Sequence, residues 1–142
     1  MLKLLVGREY PDELLQSIQN CKTSLKILMY DWRWYSHQPG TRIQKVSAEI
    51  IKAKNRAVDV RVILNFRSIV PILKRHNIKV FEKDFSKKMH IKVVVVDDKI
   101  ALIGSHNLTV NGFELNHEMS IITDDEIIVS RCSQYFNNLC HS

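Results

Sequence analysis

At 142 residues, with 45% hydrophobic and 25% charged side chains, the chain has the length and make-up of one globular domain with a sizeable core. Only four glycines and three prolines argue against a disordered or low-complexity chain, and no apolar run approaches the roughly 20 residues needed to span a bilayer. The formal net charge of +6 favours a polyanionic partner.

Leu2 to Val6 reads as a first strand, and its apolar run is too brief for a signal peptide before charge sets in at Arg8 and Glu9, so a cytoplasmic protein is expected. Tyr10-Pro11-Asp12-Glu13 opens a helix, with proline and acids suited to a first turn and Leu14, Leu15, Ile18 and Cys21 at helical spacing. Ser24 to Tyr30 alternates as a strand. Asp31 to Gly40 is a loop and the most aromatic stretch of the chain, with Trp32, Trp34 and Tyr35 around Arg33. Such a loop can stack nucleic-acid bases, mark a protein interface, or form a lid packed on the core. Thr41 caps the clearest helix, which runs to Ala57 with Ile43, Val46, Ile50 and Ala53 as its apolar stripe. Val58 to Leu64 is a strand, Ser68 is placed to cap a short helix from Ile69 to His76, and Ile78 to Phe81 is a short strand. Lys74, Arg75, Lys79, Lys83, Lys87, Lys88 and Lys92 then form a basic approach, opposed only by Glu82 and Asp84. Glu118 to Ile122 is a strand, and Asp124-Asp125-Glu126 opens a last helix through Leu139. This alternation predicts an α/β domain spanning residues 1–142, a mixed and mostly parallel sheet flanked by helices on both faces. Cys21, Cys132 and Cys140 contain no C-x-x-C spacing and are expected to be reduced, and with His141 they fit no zinc pattern.

The most informative stretch is Met89 to Thr109. His90 and Lys92 are two residues apart at the start of a valine run, and i, i+2 neighbours share one face of a strand. Asp97-Asp98-Lys99 breaks two apolar runs as a hairpin turn does, and the return strand carries Gly104, Ser105 and Asn107 back past the start of the first. His106 and His117 lie between these positions and are expected to point away.

His90-x-Lys92-(x)4-Asp97, followed by Gly104-Ser105-x-Asn107 and Asn116-x-Glu118, resembles the HKD motif of the phospholipase D superfamily. The resemblance is sharpest over residues 89–118 and implies phosphodiester chemistry without a metal or other cofactor. In such a site His90 is the covalent nucleophile, Lys92, Asn107 and Ser105 bind non-bridging oxygens, and Glu118 accepts from the other ring nitrogen of His90. Asp97 supports the local structure. Superfamily members with tandem motifs use the second histidine as general acid, but this chain contains no second H-x-K, so a homodimer is expected to complete the site.

Small single-motif members are typically dimeric nucleases, which makes a metal-independent endonuclease acting on DNA, with RNA left open, the expected function. Lys87, Lys88, Arg33, Trp32 and Trp34 are the candidate substrate contacts. The runner-up is a lipid phosphodiesterase of phospholipase D type, and a third reading is a nucleic-acid-binding subunit of a larger assembly. So short a chain leaves room for a partner protein that supplies specificity.

Overall fold

A computed structural model describes residues 1–82 and 86–141. Lys83 and Asp84 of the basic approach therefore lie outside the described residues. The strands are β1 (Leu2–Val6), β2 (Ser24–Met29), β3 (Asp59–Leu64), β4 (Lys79–Val80), β5 (Lys92–Val96), β6 (Ile100–Gly104) and β7 (Met119–Thr123). The helices are α1 (Glu9–Gln19), α2 (Arg42–Asn55), α3 (Val70–Arg75) and α4 (Glu126–His141), and a single π-helical turn occupies Asn111–Leu115.

The seven strands form one sheet in the order β1-β7-β6-β5-β2-β3-β4. It is mixed, as expected, but its ladders are not mostly parallel: only β2–β3 and β3–β4 are parallel, while β1–β7, β7–β6, β6–β5 and β5–β2 are antiparallel. The reason is connectivity. Only the strand–helix–strand crossovers from β2 to β4 join neighbouring strands; β1 and β2 are separated in the sheet by β7, β6 and β5, and β5 and β6 are joined by a tight turn.

Alternation along the strands divides the core in two. Leu25, Ile27, Val94, Val96 and Leu102 face the layer of α1, α2 and α3, where they meet Leu14, Ile18, Ile43, Ile50 and Leu73. Leu28, Ile63, Val93, Val95 and Ala101 face α4 through Val129 and Phe136. Burying each of these larger side chains contributes about 1.5–3 kcal/mol. Thr41 caps α2 through its hydroxyl, which accepts from the Gln44 N–H. Ser68 does not cap α3: the cap position falls to Ile69, which makes no side-chain cap bond, and Pro71 sits in the first turn.

Candidate active site

The β5–β6 hairpin is the frame of the site. Asp97 and Asp98 have φ of 56° and 51°, the positive values of a type I′ turn, and the Lys99 N–H donates to the Val96 carbonyl at 3.0 Å. Asp97 tolerates this backbone because its carboxylate accepts from the backbone N–H groups of Lys22, Thr23 and Ser24. Burial alone would raise its pKa, but these bonds hold it down at about 2. The register Val93–Ile103 then fixes the other end of the hairpin, where β5 begins at Lys92 and β6 ends at Gly104. Gly104 has no room for a side chain, since a Cβ there would collide with Ser120 on β7.

At that end the Lys92 ammonium donates to His90: its Nζ lies 3.0 Å from Nδ1, 3.4 Å from Nε2 and 3.1 Å from the His90 carbonyl oxygen. An ammonium can only donate, so the His90 ring and its carbonyl oxygen are the acceptors in this contact. Partial burial lowers the Lys92 pKa, and the Glu118 carboxylate opposes that shift. The His90 ring is also tilted against Tyr30, with ring centroids 4.4 Å apart, and Lys92 Nζ stands 5.3 Å from the Tyr30 centroid. Tyr30 directly follows β2, and the Met29–Lys92 register delivers it there.

Ser105 accepts from the Met119 N–H at 3.0 Å and donates to Glu118 at 3.1 Å. Glu118, expected to accept from His90, is thus bonded to Ser105 within one chain and acts on Lys92 through its charge. Asn107 Oδ1 accepts from the Asp31 N–H, leaving its NH2 as a donor with no partner among the described residues. Behind it, Gly112 of the π-helical turn packs so closely on the Asn107 carbonyl that a Cβ would lie 2.5 Å from that oxygen. Beside Ser105 and Glu118 lies a cleft of about 400 Å³, lined also by Val6, His117 and Met119.

The other candidates divide. Lys87 and Lys88 are exposed on the approach to His90, and Lys88 Nζ stands 5.7 Å from the Tyr30 centroid. Arg33 is exposed but its Nε donates to Asp31 at 2.9 Å. Trp34 is half-buried against the core. Trp32 cannot meet a substrate, because it is 1% exposed and its indole N–H donates to Ser47 inside the core. That member of the aromatic loop is packing, not a platform. His106 is buried and turned from the site, as expected: it stacks on Tyr10 at 4.3 Å and bridges the Gly7 carbonyl and Ser120 hydroxyl. The Gly7 carbonyl can only accept, so Nε2 carries the proton and Nδ1 accepts from Ser120. Burial lowers the pKa of His106 and keeps it neutral. Asp98 is paired with Lys26, and Asp125 accepts from the Ile128 N–H at the start of α4.

Sequence reading missed Tyr30 and Asn65. The Asn65 side chain accepts from the Met89 N–H at 3.0 Å and so ties the end of β3 to the residue before His90. Their only signal was position at the carboxyl ends of predicted strands, which means nothing until β2 is known to lie beside β5.

The fold and this constellation define a domain of the phospholipase D class. Residues 14–140 match the family described as cardiolipin synthase, PLD-like domain, and the chain belongs to that family. In structure it is similar to NucT from Helicobacter pylori, with a TM-score of 0.80 and 25% identity over all of this chain and 96% of that one. In sequence it is 24% identical over 114 residues to cardiolipin synthase A of Pectobacterium carotovorum, a match covering 67% of this chain and 22% of the synthase. It is 34% identical over 96 residues to the mitochondrial cardiolipin hydrolase of Xenopus tropicalis, covering 63% and 46% respectively. The chain thus spans under half the length of either curated relative. No helix among the described residues is long and apolar enough to cross a membrane.

Proposed function

We propose that this chain is a metal-independent endonuclease that hydrolyses DNA, with RNA left open, through a phosphohistidine on His90 at the interface of a homodimer. The observation that carries this reading is the His90–Lys92 contact of 3.0 Å, beside the donors of Asn107 and Ser105, in a chain with a single H-x-K. When a phosphodiester arrives, Lys92 moves its hydrogen bond from the imidazole to a non-bridging oxygen. The same movement bares the histidine lone pair and neutralises charge on the phosphate. The His90 nitrogen then attacks phosphorus and the P–O bond to the leaving group breaks. His90 of the partner subunit, protonated, gives its proton to the leaving oxygen. Water next attacks the phosphohistidine, passing a proton back to that second imidazole, and both histidines return to their starting states.

The dimer is supported by an apolar face. Leu2, Leu4 and Val6 are exposed on β1, and Met119 on β7 is exposed beside Val6. Leu5 faces the α1–α3 core, so its neighbours point to the α4 side, where Ile127, Ile128 and Tyr135 are also exposed. Such a surface marks an association site, and Val6 and Met119 carry it to the cleft beside Glu118. Similarity to NucT along nearly its whole length favours the nuclease over a lipid synthase. Three scattered cysteines with no C-x-x-C spacing support a reducing, cytoplasmic setting.

The deciding experiment is cleavage of single- and double-stranded DNA in excess EDTA by wild type and His90→Ala, with sedimentation in parallel. EDTA-resistant cleavage by a dimer, lost in the variant, supports the reading; cleavage that needs metal, or an active monomer, overturns it. A lipid phosphodiesterase is the second reading, favoured by the resemblance to the cardiolipin hydrolase. Turnover of cardiolipin vesicles in place of DNA would establish it. A salt-sensitive gel shift without turnover of either substrate would instead indicate a binding subunit.

A further inference from the structure

We infer that Phe66, backed by Tyr30, is a stacking platform for the nucleobase next to the scissile phosphate, so that the enzyme acts on unpaired strands. This rests on the nuclease reading above. Phe66 lies just after β3 and Tyr30 just after β2, at the carboxyl ends of two parallel strands, where crevices of α/β sheets receive ligands. Their rings meet edge to face, with centroids 4.8 Å apart and planes at 66°. An edge-to-face contact covers at most one face of the Phe66 ring, and the residue remains 41% exposed. Tyr30 in turn touches His90 at 4.4 Å and lies under the ammonium groups of Lys88 and Lys92. Through Tyr30 the exposed ring is therefore within about 9 Å of the imidazole.

This ring is held in advance of any ligand. The Phe66 N–H donates to the Tyr30 carbonyl at 3.1 Å, the Asn65 N–H donates to the Met29 carbonyl at 3.3 Å, and Asn65 Oδ1 accepts from the Met89 N–H. A large apolar ring fixed at the rim of a cationic site costs hydrophobic exposure without a packing return. A base supplies that return: it has an apolar face to stack and carries its phosphate within reach of Lys92. A base inside a duplex already has both faces covered, so the platform selects strands whose bases are free to turn out. Two of the side chains on Tyr30, Lys88 and Lys92, are cationic, which suits the charged backbone of a nucleic acid better than an acyl chain.

The test uses the full chain and a short single-stranded oligonucleotide with one ordinary phosphodiester, the other linkages protected as phosphorothioates. The nucleotides flanking that bond carry either bases or abasic tetrahydrofuran. Wild type should lose about tenfold in kcat/KM when the bases are removed, in keeping with the value of one stacked base. Phe66→Ala should lose about as much on the intact substrate and nothing further on the abasic one, whereas Phe66→Trp should keep both the activity and the sensitivity to base removal. Equal sensitivity to base removal in wild type and Phe66→Ala overturns the platform but leaves the nuclease reading standing. Indifference of wild type to base removal does the same, and it requires no variant to fold. Failure of wild type to cut any oligonucleotide while it cleaves cardiolipin vesicles overturns both.

Discussion

The two ends of the β5–β6 hairpin are built from the same two strands and do opposite work. At the turn, the Asp97 carboxylate collects the N–H groups of Lys22, Thr23 and Ser24, together with the Thr23 hydroxyl and Cys21 thiol. At the open end, among the described residues, Lys92 donates only to the segment it belongs to and the Asn107 NH2 has no protein acceptor. Satisfied acceptors pin the register, while donors kept back from the protein are available to a phosphate. The contrast separates stability from function along about five residues of strand.

The comparison is broken most severely at the open end. His90→Ala should reduce phosphodiester cleavage by at least about 10⁴-fold while leaving thermal unfolding within about 0.5 kcal/mol of wild type. If the two measurements fall together, His90 belongs to the scaffold. Lys92→Met should cost about 10²–10³-fold in kcat, the usual loss for one charge-stabilising donor. Single-turnover kinetics would place that loss in the chemical step. The apolar face gives a third test, because Leu4→Glu should yield a folded monomer in sedimentation with activity lost and His90 unchanged.

At the turn the expected effects are smaller and fall on stability. Asp97 is held at about 2 in the folded protein against an ordinary 3.8, so the unfolded chain binds the extra proton first as pH falls. Its contribution, about 1–2 kcal/mol after allowance for solvent screening, is complete above the ordinary value and disappears as pH falls through about 2. Asp97→Asn should remove most of it near neutral pH without changing kcat, as denaturant unfolding and steady-state assays would show. Smallest in consequence is the neighbouring thiol. Burial, then the bond to Asp97, pushes Cys21 up to about 12. Alkylation of Cys21 at pH 8 should be slower in the folded than in the unfolded chain by on the order of 10³-fold, read by mass spectrometry of the labelled peptide.

Legibility followed the range of the interactions. The hairpin, the α2 cap at Thr41 and the pairing of His90 with Lys92 depend on residues near in sequence, and all could be read from alternation and turn chemistry. The partners that complete the site come from 60 residues upstream and more: Asp31 at Asn107, and Tyr30 at His90. No local pattern reports that β2 lies beside β5. The aromatic loop shows the same limit, since Trp32 and Phe66 are both large aromatic residues near strand ends, yet one fills the core and the other stands at the site's rim.

By itself the sequence determined the hairpin, the neighbouring placement of His90 and Lys92 and the α/β class, because two-residue alternation and a positive-φ turn are properties of adjacent residues. The order of strands, the predominance of antiparallel ladders, the bonding of Glu118 to Ser105 and the choice of which aromatic ring is buried and which exposed were decided only in the tertiary structure. Each depends on which strands pair across long separations, and that is settled by packing the whole sheet between its two helical layers.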